Sequence, residues 1–144
     1  MFSLKAVSTS LLCAAVAFAQ GISYNLPTPG TTVAAGSSFT VRLVQPDQLS
    51  TLVPISVAIG IQSCPNGTGG SCVPTDEGLG RLLYDGPFNP QFGSEYYSPY
   101  EDFNVTVPAD LASGEAILGT GYFYLLGALY MPELQVINET ITIS

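Results

Sequence analysis

The side chains able to do chemistry in this chain are nearly all carboxylates. Eleven Asp and Glu stand against three Lys and Arg in 144 residues, and there is no histidine. Without histidine, the Ser–His and Cys–His pairs that activate a nucleophile have no base, and a zinc or copper site lacks its usual nitrogen ligand. Two carboxyl groups at a fixed separation can hydrolyse a glycoside, and clustered ones can hold calcium. The adjacent pairs Asp76-Glu77 and Glu101-Asp102 suit neither role. Neighbours in an extended chain point to opposite faces, and no D-x-[DN]-x-[DN]-G loop is present. Asp76, Glu77 and Asp85 are the acids that folding would have to bring together for a metal. The expectation is no catalytic residue, no metal and no cofactor.

The cysteines are better explained as a bridge than as reactive thiols. Residues 1–19 carry Lys5 near the start, an apolar run over residues 11–18 and then Ala17-Phe18-Ala19. That is the order of a secretory signal peptide with its cleavage site, and the apolar run is too short to span a bilayer. Cleavage removes Lys5 and Cys13, leaving one secreted domain over residues 20–144 with only Arg42 and Arg81 as cations. It also leaves Cys64 and Cys72 as a pair, which in a secreted chain reads as a disulfide. Sequons at Asn66, Asn104 and Asn138 fit the same compartment as glycosylation sites. A chain so poor in Lys and Arg is not built for nucleic acid or for anionic lipid surfaces. No stable membrane insertion is expected, and oligomeric state stays open.

The remaining unusual residues are aromatic. Residues 82–108, LLYDGPFNPQFGSEYYSPYEDFNVTVP, place Phe88, Phe92, Tyr96, Tyr97 and Tyr100 among prolines and glycines, where a long ordered loop is expected. One reading has Phe88, Phe92 and Phe103 capping an open end of the core. The other gives Tyr96, Tyr97 and Tyr100, amphipathic side chains suited to a wet interface, to a partner. A second candidate partner surface is the apolar stretch with Leu129, Tyr130 and Met131.

The elements that must position these groups are strands. SFTVRLV alternates Phe39, Val41 and Leu43 with polar residues, VPISVAIGIQSC sets Val57, Ile59 and Ile61 on one face, and DFNVTV does the same with Phe103, Val105 and Val107. The last strand turns Ile137, Ile141 and Ile143 inward, so the asparagines of the second and third sequons fall on solvent faces. A strand over residues 80–84 is expected to end at the turn Asp85-Gly86-Pro87, and FYLLGALYMP to be a buried strand running into an apolar loop. No helix is expected. About seven short strands in one domain with one disulfide predict an all-β fold, a single antiparallel β-sandwich of immunoglobulin-like architecture.

IGIQSC, a short cysteine loop, LGRLLYDGPFNPQF, SPYEDFNVTVP and a Leu-Gly-Ala stretch before the closing strand follow one another in an order that resembles the fungal necrosis-inducing secreted protein family, over roughly residues 22–143. The resemblance implies a secreted, non-enzymatic effector that provokes plant cell death or suppresses pattern-triggered immunity. It implies a host protein as partner, with receptor-associated kinases as the family's targets, and hence entry into the host cell. The alternative from the residues themselves is a cell-wall or glycan-binding module that stacks sugars on its tyrosines, although the sequence has no Trp, the usual residue for that task.

Overall fold

The structure, a computed structural model, describes residues 21–47, 51–64, 72–94 and 97–144; the expected leader, Asn66 and Tyr96 lie outside the described residues. Eight strands follow in order: β1 (Ser23–Leu26), β2 (Thr32–Val33), β3 (Ser38–Val44), β4 (Leu52–Ser63), β5 (Arg81–Pro87), β6 (Tyr100–Thr106), β7 (Gly114–Leu126) and β8 (Met131–Ile143). They form a three-stranded sheet, β1-β3-β6, and a five-stranded sheet, β2-β8-β7-β4-β5. Every pairing is antiparallel except the two-residue β2, which lies parallel to the end of β8. The all-β sandwich expected from the alternation is the fold, with one strand more than the seven expected. The extra one, β2, lies inside the turn-rich stretch after β1, where Gly and Pro hid it.

The core follows from the period-two alternation, because successive strand residues face opposite ways. Val41 and Leu43 of β3 and Phe103 and Val105 of β6 meet Val57, Ile59 and Ile61 of β4, Leu118 and Tyr122 of β7 and Ile141 and Ile143 of β8. Thr120 sits fully buried among them and is satisfied by the Tyr24 hydroxyl at 2.5 Å. Desolvation pushes the Tyr24 phenol well above its ordinary pKa, partly offset by that hydrogen bond. The Tyr122 phenol, also raised by burial, donates to Gln45 Oε1 at 3.1 Å. Neither buried hydroxyl is left unpaired, which is the condition for keeping a polar atom inside a core.

Four sequence expectations are corrected. Asp85-Gly86-Pro87 is not a turn: β5 runs through it, paired with Ala58, Val57 and Ser56 of β4. Pro87 is tolerated there because β5 is the sheet edge, where a missing donor costs no ladder bond. The aromatic loop between the two expected strands is shorter than expected, since β5 runs on to Pro87, β6 already begins at Tyr100, and Gln91 bridges to Tyr100. FYLLGALYMP is only half buried: Tyr124 points in, Phe123 points out, and residues 127–130 form a hairpin turn exposed from Ala128 to Tyr130. The aromatic cap is formed by Phe88 and Phe103 without Phe92, which is 67% exposed. Phe88 meets Tyr122 edge-on at 5.4 Å and Phe103 at 6.2 Å, and Tyr84 joins Phe103 at 4.6 Å.

Candidate functional site

Two surfaces stand out, at one end of the sandwich and on the outer face of the larger sheet. The end is defined by the described parts of three connections: residues 45–47 and 51 between β3 and β4, 88–94 and 97–99 between β5 and β6, and 127–130 between β7 and β8. Pairing of Val44 with Tyr100 and of Leu52 with Leu126 brings them to the same edge of the fold. Leu126 pairs with Met131, so the β7–β8 turn is Gly127, Ala128, Leu129 and Tyr130. Leu129 is 88% exposed, and Tyr130 and Met131 are about half exposed. Tyr130 holds φ at 53°, the left-handed region, where a bulky side chain is strained.

The tyrosines of the expected partner surface divide. Tyr97 is 99% exposed. Tyr100 opens β6, half buried, with the Arg42 guanidinium 4.2 Å from its ring centroid. Arg42 also grips Asp102 in a two-pronged ion pair, Nε to Oδ1 at 2.6 Å and Nη2 to Oδ2 at 2.7 Å. That hydrogen bonding holds the Asp102 carboxyl below its ordinary pKa. Tyr100 is thus held by contacts within the chain, whereas Tyr97 stands in solvent.

The second surface was missed in the sequence. A cavity of about 590 Å³ opens on the outer face of the five-stranded sheet. Its floor is made of the small outward residues Ser56 and Ala58 of β4 and Gly121 of β7, and one wall is Phe123, Leu134 and Val136. The opposite wall is the segment after the disulfide, residues 75–79, folded back across the sheet. Gly60 and Gly119, directly paired across β4 and β7, explain why it lies there. A Cβ on Gly60 would fall 2.4 Å from the Leu79 carbonyl oxygen, and one on Gly119 2.5 Å from Thr75 Cγ2. The segment occupies the space those side chains would fill. Gln62 Nε2 fastens it by donating to the Val73 carbonyl at 2.8 Å, and a turn closed by Glu77 N–H to the Pro74 carbonyl presents Asp76 and Glu77. A Cβ on Gly121, by contrast, would meet nothing within 4 Å.

Asp76, Glu77 and Asp85 therefore do converge, around one cavity. They form a dispersed rim and not a metal nest: the one cluster of three potential ligands among the described residues is Cys64, Cys72 and Glu115, and its two sulfurs are joined in the disulfide. All three rim acids are exposed. None has an ion-pair partner among the described residues. Arg42 is committed to Asp102 and Arg81 to Asp110, so the rim's negative charge is uncompensated. Asn104 and Asn138 are exposed on the outer faces of the two sheets, and Asn138 lies two residues along β8 from Val136 of the cavity wall. The only sequence signal for the cavity was the run of glycines in β7, legible as close backbone approach but not as an open floor.

A small, disulfide-bridged β-sandwich with an apolar turn at one end and an acid-rimmed cavity on its larger sheet is the class of protein these features define. The chain belongs to the Nis1 family, whose family model matches residues 17–142, and this membership makes it an effector-like protein. A search of the curated proteins finds no match. Among solved structures it is similar to a superoxide reductase (neelaredoxin) from Ignicoccus hospitalis, at 14% identity and a TM-score of 0.47 over 85% of this chain and 80% of that one.

Proposed function

We propose that the chain is a secreted, non-enzymatic effector that binds a protein of a plant host, and thereby induces cell death or suppresses pattern-triggered immunity. The observation that carries this reading is the β7–β8 turn in a chain of this family. Leu129, Tyr130 and Met131 are displayed to water on a turn whose tyrosine is held at a positive φ. Such strain, of order 1–2 kcal/mol, is retained where a conformation serves a purpose other than stability. An exposed apolar patch rimmed by polar residues favours a protein partner, and Tyr97 extends the displayed surface at the same end of the sandwich. Receptor-associated kinases are the partner class that the family suggests. Reaching them requires entry into the host cell after secretion under the leader.

The test is the elicitor-triggered oxidative burst in leaf tissue expressing the chain with and without residues 1–19. A suppressed burst supports the reading, and comparing the two forms separates an extracellular from an intracellular target. An unaltered burst, with both forms expressed, refutes it and transfers the weight to a wall-binding module. Exposed Phe92, Tyr97 and Tyr130 favour that second reading, since rings in solvent can stack on sugars; retention on insoluble glucan or chitin checks it.

A further inference from the structure

We infer that the cavity on the outer face of the five-stranded sheet receives a cationic side chain, arginine or lysine, from an otherwise apolar segment of the protein partner. This rests on the binding role proposed above and adds the place and chemistry of the contact.

Three observations converge. The first is shape. The cavity of about 590 Å³ is within the range of sites that hold a ligand or several side chains. It stays open because Gly121 has no Cβ, with no neighbouring atom within 4 Å of where one would be. The second is the division of its lining. Ala58, Phe123, Leu134 and Val136 are apolar, and Asp76, Glu77 and Asp85 stand at the same opening with no basic residue among the lining. An apolar trough ending in carboxylates matches a long aliphatic stem with a cationic head, which buries its methylenes and keeps its charge at the rim. A bare metal ion fits poorly, because the three carboxylates do not gather their oxygens within 4.8 Å of one another.

The third observation is continuity. Phe123 pairs with Leu134 in the cavity wall, and two pairs further on, on the same outer face, Leu125 meets Pro132 beside the apolar turn. A small amine would use the cavity alone. A polypeptide segment can place its cationic residue in the cavity and its apolar residues along Leu134 and Pro132 toward Leu129, covering surface that is otherwise left to water. That continuity selects a peptide over a small molecule.

The test uses the disulfide-intact protein labelled with ¹⁵N and a capped peptide probe of sequence SLRFRLS, beside the same peptide with both arginines replaced by citrulline, which keeps the shape and loses the charge. The expected result is amide shifts that saturate at Ala58, Thr75, Gly121 and Val136, and a roughly tenfold weaker Kd for the citrulline peptide. Asp76→Asn with Glu77→Gln and Asp85→Asn should weaken the arginine peptide by about the same factor. Gly121→Leu, whose side chain enters open space, should abolish binding while the melting temperature is kept. Equal affinity for the two peptides, shifts confined to other amides, or no shifts at millimolar peptide would each overturn the inference. Gly121→Leu in the leaf assay separates this from the wider proposal. Burst suppression retained by that variant removes the cavity but leaves the effector reading, whereas peptide binding in a chain that never alters the burst does the reverse.

Discussion

Gly60 and Gly121 lie on the same outer face of one sheet, and giving each a single methyl should have opposite results. In Gly60→Ala the new Cβ would stand 2.4 Å from the Leu79 carbonyl oxygen, 2.8 Å from its Cβ and 3.0 Å from its carbonyl carbon. Two of these three atoms are backbone, so no rotamer change relieves the clash and the 75–79 segment must lift. Forcing a methyl into filled space costs about 1–3 kcal/mol, offset in part by the few tenths to 1 kcal/mol that alanine gains over glycine in an extended strand. The net loss should be roughly 1–2 kcal/mol, which for a domain of this size lowers the melting temperature by about 4–10 °C. Gly121→Ala meets no atom within 4 Å and keeps only the gain, so its melting temperature should hold or rise slightly. Thermal denaturation followed by near-ultraviolet circular dichroism measures both. Amide spectra of Thr75 and Gly78 should shift in Gly60→Ala alone. If Gly60→Ala melts with the parent and leaves those amides in place, the segment does not pack on the sheet as described and the cavity loses its wall.

Other perturbations follow from the same structure. Cys64→Ser opens the bridge to Cys72 across a separation of eight residues, and loop-closure entropy puts the loss near 2.5 kcal/mol; chemical denaturation should show a lower midpoint with little change in slope. Tyr130→Gly relieves the positive φ at the turn and should raise stability by about 1 kcal/mol while weakening partner binding, so a destabilised variant would contradict the strain argument. The phenols of Tyr24 and Tyr122 have pKa values raised in the folded state, so their contribution is complete below the unfolded value of about 10 and is lost as pH rises above it. Stability should therefore fall above about pH 10, by up to about 1.4 kcal/mol per pH unit for each such phenol. Tyr24→Phe should reduce that slope in denaturation measured at successive pH values. Asp102, held low by Arg42, works in the opposite direction. Its contribution is present above about pH 4 and is lost as pH falls through the folded pKa, and because the Asp102 side chain is 40% exposed, solvent screening keeps it to about 1 kcal/mol or less.

Much of this protein is determined by its sequence through local rules. Alternation in β3, β4 and β6 assigns each side chain to core or solvent, because a strand's period of two leaves no other arrangement once one face is buried. Cys64 and Cys72 form the bridge expected of the one cysteine pair left after the leader, and the consecutive motifs LYDGPFNPQF and PYEDFNVTVP carry the resemblance to the family whose model matches residues 17–142. Where local signals mislead, pairing partners had outvoted them. Asp85-Gly86-Pro87 has the composition of a turn, yet at a sheet edge against β4 it is a strand. Phe88 and Phe92 are the same residue type four positions apart, and only the packing of Tyr122 and Phe103 around one of them decides which is core. The cavity belongs wholly to the tertiary structure. Its floor comes from β4 and β7, its apolar wall from β7 and β8, and its acidic rim from β5 and the segment behind the disulfide, so residues as far apart in sequence as Ser56 and Val136 share one opening. Periodicity can say that Gly60, Gly119 and Gly121 face outward, but whether another piece of chain fills the space above each is a question of distance between segments, and that was settled only when the sheet was assembled.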